Sequence, residues 1–356
     1  MSGETIEIRE AIKKVVEGEE LTQPEAAAAM DAIMKGEVTG AQIGALVTGL
    51  RMKGETAAEI AGFARAMRDH ALHVEIDATT EPLLDTCGTG GDHSNTFNIS
   101  TTATFAIAAA GVRIAKHGNR SASSLCGSAD LLEGLGVVLE LTPEQVAESV
   151  RRVGIGFMYA PAFHPAMRFV GPARREMGIR TVFNLLGPLT NPAGTRHQLI
   201  GVGHADIAPK LAEVLSLLES SHAVLVHSEE GLDEVGIQGR SRITEWDDRA
   251  GTIRTYDVGP EDFGLARGSK DDLVGGDASV NVEITRAILQ GEQGPRRAVT
   301  LMNAGAGIYA ANAAESLAEG IALAAEAIDS GRAYEKLEAL VAVTQELANT
   351  KAEVVA

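Results

Sequence analysis

The amino-acid sequence predicts an α/β protein, a small all-helical unit joined to a larger domain with a central parallel or mixed sheet. Three observations carry this. Helix start signals recur through roughly the first seventy residues, and strand-like and helix-like segments alternate from about Glu81. A glycine-rich turn links the first such strand to the helix after it. A chain of 356 residues has room for about two domains.

Thr22 with Glu25, Thr39 with Gln42 and Thr56 with Glu59 have the spacing of capping boxes. Each precedes apolar residues at helical intervals: Ala27, Met30 and Met34; Ile43, Leu46, Val47 and Leu50; Ile60, Phe63, Ala64 and Met67. Gly36 and Gly54 close the first two runs as C-terminal caps. Beyond Glu81, "EPLLDT" reads as a strand entering the glycine loop and "NISTTATFAIAAAG" as the following helix. "VRIAKHG" and "GVVLEL" read as the next strands, and Thr142 with Gln145 caps another helix. "GIGFMYAPAF" reads as a strand and "HPAMRFVGPARREM" as one helix. The strands "HQLIGVG" and "HAVLVHS" then flank a helix through "LAEVLSLLE". From Val280 to Thr350 the pattern is helical apart from "RRAVTLMNAGAG". Such alternation implies a sheet covered by helices. No internal repeat or low-complexity linker interrupts it.

Aromatic content of only 4% implies a core of small side chains, with helices in close approach. A formal charge of −18 argues against nucleic acid or an acidic membrane as partner. The two cysteines, Cys87 and Cys126, suggest no disulfide framework. The N-terminal segment lacks the apolar core of a signal peptide and no run approaches a membrane span, so a cytoplasmic protein is expected.

Against this acidic background, no Asp or Glu lies between Asp92 and Asp130, where the chain's average would place about five. His93, Arg113, Lys116, His117 and Arg120 all fall there. The asymmetry points to an anionic ligand. Gly88-Thr89-Gly90-Gly91-Asp92, between strand and helix, lets backbone amides approach phosphate at a helix N-terminus, with the hydroxyls of Ser100, Thr101 and Thr102 close by. It is not a dinucleotide fingerprint, because no acid follows about twenty residues on, and no Gly-Lys-Ser/Thr makes it a Walker loop.

Three further groups are ambiguous on residues alone. Lys116-His117-Gly118-Asn119-Arg120, followed by Ser121, Ser123 and Ser124, suits a polyphosphate at the end of the second strand, though such a segment is often a solvated basic loop. Asp233-Glu234, after "HAVLVHS", could hold magnesium with phosphate oxygens, but in so acidic a chain a solvated turn is the commoner reading. His164 and Arg174, ten residues apart on one predicted helix, would share a face, and an arginine can grip a carboxylate. Arg175 and Arg180 are equally plausible there. Cys87 abuts the glycine loop without a base pattern around it.

Taken together, "GTGGD", "NTFNIST", "KHGNR", "SSLCGSADLLEGLG", "APAFHPAMRFVGPARREMGIRTVFNLLGPLTNPA", "GLDEV" and "LVGGDASVN" resemble the anthranilate phosphoribosyltransferase family over nearly the whole chain. The resemblance implies a helical domain of residues 1–74 with a later insert at about 165–190, and an α/β domain of 75–164 and 191–356. The cleft would lie between them, and a homodimer would form through the helical domain. The implied reaction joins anthranilate to phosphoribosyl pyrophosphate (PRPP) and releases pyrophosphate, the second step of tryptophan biosynthesis from chorismate.

By the same resemblance, PRPP would be held by Gly88, Gly91, Asp92, Thr96, Asn98, Ile99, Ser100 and Thr101, by Lys116, His117, Gly118, Asn119, Arg120, Ser121, Ala122, Ser123 and Ser124, and by Ser128. Anthranilate would meet Gly88, Asn119 and Arg174, with His117, His164 and Pro188 around it. Ser100, Asp233 and Glu234 would hold magnesium, with two ions per subunit. Ser228, Glu230 and Ala298 depart from the family pattern at positions peripheral to these ligands. A pyrimidine nucleoside phosphorylase is the nearest enzymatic alternative, but "KHGNR" stands where a lysine-serine-glycine-arginine signature would be expected. A nucleic-acid-binding relative would need a basic groove that so acidic a chain does not offer.

Overall fold

The computed structural model describes residues 6–78, 81–92, 94–121 and 125–355. The chain begins with α1 (Ile8–Val16), α2 (Gln23–Met34), α3 (Gly40–Lys53) and α4 (Ala57–Asp69). The last three start at Thr22, Thr39 and Thr56, and each threonine forms the full reciprocal capping box expected of it. Their apolar stripes meet in one core, with Met30, Ile33, Leu46, Leu50, Ile60 and Phe63 fully buried.

The remainder is built on a seven-stranded sheet of β1 (Leu83–Gly88), β2 (Arg113–Gly118), β3 (Ile155–Tyr159), β4 (His197–Gly201), β5 (His222–Ser228), β6 (Ser241–Asp247) and β7 (Thr252–Val258). The strand order is β3-β2-β1-β4-β5-β6-β7; the first five are parallel and the last two antiparallel. Side chains alternate along β5, with Val224 and Val226 entering the core on one face and Ala223 and Leu225 the other. On the first face lie α5 (Ile99–Ala109), α6 (Ser128–Leu135) and the later helices, whereas α7 (Pro143–Val153) packs Val146 and Val150 with Leu83, Ala115 and Met158 on the other. Elsewhere this second face shares its core with the N-terminal helices, α9 (Gly171–Met177), α10 (Phe183–Leu186) and α11 (Ala208–Leu217), while Phe163 of α8 (Ala160–Phe163) joins the cluster of α7. The C-terminal part is α12 (Ala278–Leu289), α13 (Pro295–Ala310), α14 (Leu317–Asp329) and α15 (Arg332–Val355).

From β1 the chain runs outward to β2 and β3, then returns to β4 on the other side of β1. The strand order therefore reverses between β1 and β4, and a crevice opens beyond their carboxyl ends.

Three expectations are corrected, and one hairpin is added. "GVVLEL" is not a strand: Val137, Leu139 and Leu141 are buried, but the Val138 amide donates to Thr344 Oγ1 at 3.2 Å instead of to a neighbouring strand. "RRAVTLMNAGAG" lies in α13, a helix buried on nearly all sides, which hides its periodicity. "HPAMRFVGPARREM" is a 3₁₀ turn, Pro165–Phe169, followed by α9, with the break at Val170 before Gly171-Pro172. His164 and Arg174 are thus on separate elements. The β6–β7 hairpin was overlooked, although "SRITEWD" and "TIRTYDV" are separated by a short turn ending in Gly251.

Candidate active site

The crevice is floored by a pair of glycines. Gly88 and Gly201 are register partners at the carboxyl ends of β1 and β4. A Cβ on Gly201 would stand 1.8 Å from the Asp233 carbonyl oxygen, and one on Gly88 2.6 Å from Asp233 Oδ2. Only glycines let the acidic pair descend this far into the crevice. The glycine loop is pinned to the sheet by the Thr89 amide donating to the Gly201 carbonyl at 2.8 Å, and by the Gly203 amide donating to Thr89 Oγ1 at 3.1 Å.

Asp233 and Glu234 sit on a loop that the rest of the chain holds from several sides. Glu230 accepts from the amides of Ile237 and Gln238 at 2.9 and 3.0 Å. Ser228 Oγ accepts from Leu232, and Asn303 both accepts from the Val235 amide and donates to its carbonyl. Ser228 and Glu230, two of the departures from the family pattern, therefore fix the loop that bears the acids.

The carboxylates reach the amides where an anion would be expected. Gly90 N–H donates to Asp233 Oδ2 at 3.2 Å, and Ser100 N–H, in the first turn of α5, donates to Glu234 Oε1 at 3.1 Å. Burial and the neighbouring Asp92 push Asp233 up to about 7. Burial and the charge of Asp233 push Glu234 up to about 8, against the pull of Lys116. Crowded carboxyls of this kind bind protons or a cation. Among the described residues no cluster of three or more His, Cys, Asp or Glu side chains would enclose a metal by itself. Two carboxylates and the Ser100 hydroxyl suit a hard cation that completes its shell from ligand oxygens and water, as magnesium does.

The other expected residues divide. Thr96, Asn98 and Ser128 stand around the crevice: Thr96 Oγ1 is 3.2 Å from Ser94 Oγ, Asn98 bridges the Cys126 carbonyl and Asn281, and Ser128 Oγ donates to the Asn119 carbonyl. Ile99 and Thr101 are buried, so only their backbone could meet a ligand. Lys116 is turned inward, 3% exposed, with Nζ donating to the carbonyl and hydroxyl of Thr86. Arg120 points to Asp130 and Glu133 at 3.0 and 2.7 Å, and Asp130 also accepts from the Ser121 amide. Arg113 pairs with Glu81. The cations of the acid-free stretch are thus engaged by acids or oxygens that lie outside it in sequence. Ala122, Ser123, Ser124 and His93 lie outside the described residues.

A second group gathers at the end of β2 and on the segments after α8. The rings of His117, at the end of β2, and His164, after α8, have centroids 4.9 Å apart. Both have a buried Nε2 without a hydrogen-bond partner. Burial, with His164 beside it, lowers His117 to about 3, and burial lowers His164 to about 4, so both are neutral at pH 7. They are hydrogen-bonded to the backbone of Gly187 and Thr190, which brackets Pro188. Arg174, half-buried on α9, has its guanidinium 5.7 Å from the Phe183 ring centroid and no ion-pair partner among the described residues. Asn119 is exposed at the end of the "KHGN" turn. Arg180 also reaches the glycine loop, its Nη2 3.5 Å from the Gly90 carbonyl. Sequence reasoning named it only as an alternative to Arg174, since nothing local shows where a long side chain will point.

Residues 9–71 match the helical bundle domain of a glycosyl transferase family, and residues 80–334 match that family's a/b domain. An anthranilate phosphoribosyltransferase from Chloroflexus aurantiacus is 57% identical over 340 residues, covering 95% of this chain and 99% of that protein. The crystal structure of the Thermus thermophilus anthranilate phosphoribosyltransferase superposes with a TM-score of 0.88 at 45% identity, over 94% of this chain and 99% of that one. The Saccharomyces cerevisiae enzyme in complex with PRPP and Mg gives 0.85 at 28% identity, over 95% and 98%. A helical bundle and a sheet domain matched in the same order, with more than half of the residues identical to one relative across almost the full length, establish that the chain belongs to the anthranilate phosphoribosyltransferase family.

Proposed function

We propose that the chain transfers the 5-phosphoribosyl group of PRPP to the amine of anthranilate, giving N-(5-phosphoribosyl)anthranilate and pyrophosphate in tryptophan biosynthesis. One observation carries the reading beyond family membership. At the β1/β4 crevice, the glycine loop and the first turn of α5 meet the Asp233–Glu234 pair, while neutral His117 and His164 pack together and Arg174 has no ion-pair partner among the described residues.

The amine is neutral and nucleophilic near pH 7, so no strong base is required. As its nitrogen bonds to the ribose anomeric carbon, the bond to pyrophosphate breaks, with inversion, and the nitrogen then gives up a proton to the departing pyrophosphate or to water. Backbone amides of the glycine loop and of α5 would hold the phosphate oxygens. Arg174 would take the carboxylate of anthranilate and aim its amine in line, with Asn119, Pro188 and the two imidazoles shaping the pocket. Asp233, Glu234 and Ser100 would hold magnesium, which supplies counter-charge to the departing pyrophosphate. Two ions per subunit is the stoichiometry we propose.

Residues 165–190 belong with 1–74 in this reading. Its support is that Val170, Ala173, Phe183 and Leu186 share a core with the N-terminal helices. A homodimer through the helical unit fits Val16 and Met52, which are 68% and 84% exposed on α1 and α3. No helix among the described residues is long and apolar enough to cross a membrane. A chain with only two cysteines fits the reducing cytoplasm we propose as its location.

The decisive experiment follows anthranilate fluorescence with purified protein, PRPP and magnesium, against a chelator control. Loss that requires both PRPP and magnesium is expected. PRPP binding without fluorescence loss would leave the phosphate site standing and remove anthranilate as the acceptor.

A further inference from the structure

The crevice was expected to draw its positive charge from the acid-free stretch, yet Arg113, Lys116 and Arg120 are all engaged elsewhere. The cation that does lie on the glycine loop comes from a different part of the chain. Arg180 sits on the short link between α9, which Gly178 ends in a left-handed conformation (φ +62°), and α10, whose start is fixed by the Thr181 amide donating to Asn184 Oδ1 at 3.0 Å. Its guanidinium crosses the cleft. Nη2 is 3.5 Å from the Gly90 carbonyl, and Nη1 would be 1.9 Å from a Cβ on Gly91, so the guanidinium fills the space that the missing side chain leaves. The side chain is exposed and has no carboxylate within ion-pair distance among the described residues. One long hydrogen bond to a carbonyl leaves most of its donors available.

We infer that Arg180 contacts the pyrophosphate portion of the phosphoribosyl donor, reaching over from the helical side to complete the glycine loop with a cation placed against it. The inference rests on the reading of the crevice as a PRPP site. A guanidinium offers parallel donors to two phosphoryl oxygens, where the loop amides offer only single ones. Release of pyrophosphate would then have to break this cross-cleft contact.

The test measures the PRPP and anthranilate Michaelis constants, and magnesium pyrophosphate binding by calorimetry, for wild type and for Arg180→Ala, Arg180→Gln and Arg180→Lys. Losing a charge-assisted contact should weaken PRPP and pyrophosphate by roughly 10- to 150-fold in the Ala and Gln variants. Lys should recover part of this, and the anthranilate constant should move by less than about threefold on the same scale. A Gln variant equal to wild type would make Arg180 a brace for the loop and overturn the inference, as would an Ala variant equal to wild type. Equal weakening toward both substrates would also overturn it, because the cleft as a whole would then have changed. Wild-type protein that neither binds pyrophosphate nor turns over would remove the PRPP reading itself. Wild type that binds pyrophosphate but leaves anthranilate intact would fault only the acceptor, and the variants' pyrophosphate binding would still decide Arg180.

Discussion

The two walls of the cleft respond to burial in opposite directions. On the wall formed by the loop after β5, desolvation raises Asp233 to about 7 and Glu234 to about 8. On the wall formed by the end of β2 and the segment after α8 it lowers His117 to about 3 and His164 to about 4. Withdrawal from water disfavours whichever form is charged, so both walls approach neutrality at pH 7. They differ in what would restore charge. A divalent cation would draw the protons off the carboxyls, whereas burial keeps the imidazoles neutral. In the proposed reading, one wall would exchange protons for metal, and the other would stay neutral and receive an aromatic acid through Arg174.

Replacing Asp233 and Glu234 together by Ala should break the first wall outright. A fall of at least about a thousandfold in kcat/KM is expected, roughly 4 kcal/mol of transition-state stabilisation. An unchanged magnesium dependence in that variant would remove the metal role. The second wall is addressed by Arg174→Ala, which should raise the Michaelis constant for anthranilate roughly 10- to 150-fold and that for PRPP much less. Equal effects on both substrates would count against a carboxylate contact.

Proton exchange sharpens the contrast through pH. A folded-state carboxyl held near 8, against an ordinary value of 4.5, keeps its proton where the unfolded chain has lost it. Its contribution to stability is therefore lost as pH rises through about 8, with a slope on the order of 1 kcal/mol per pH unit. The imidazoles act oppositely and at lower pH: their folded values lie below the ordinary 6.5, so stability rises with pH up to that point. Thermal melts without metal should thus weaken between about pH 6.5 and 8, and Glu234→Gln should flatten that decline. Apparent magnesium affinity should increase over the same interval, and a pH-independent affinity would contradict the exchange. The smallest effect belongs to the loop beneath the acids. Ser228→Ala removes the acceptor of a buried amide, and should lower stability by about 1–2 kcal/mol in denaturant melts while leaving kcat within a few-fold.

Legibility in the sequence followed the range of the interactions. Capping boxes at Thr22, Thr39, Thr56 and Thr142 join residues three apart, and each was read correctly from the letters alone. The strand-loop-helix around Gly88 was equally local. "GVVLEL" misled because its residues alternate between buried and open positions as a strand's do, while Val138 bonds outside the sheet; "RRAVTLMNAGAG" misled because burial on nearly all sides erases the polar-apolar contrast from which a period is read. The acid-free stretch signalled an anion site, but not which cations serve it.

Composition, caps and spacing by themselves determined an acidic α/β chain with a helical start, a phosphate-type glycine loop, and a motif set that resembles one family. Only the tertiary structure decided the rest. It turned Lys116 inward and Arg120 toward Asp130 and Glu133, lowered Asp233 onto Gly90 and Glu234 onto Ser100, and carried Arg180 across the cleft. Those pairings span up to 143 residues of chain. A long side chain takes its direction from whatever partner the fold brings near, and no local window contains that partner.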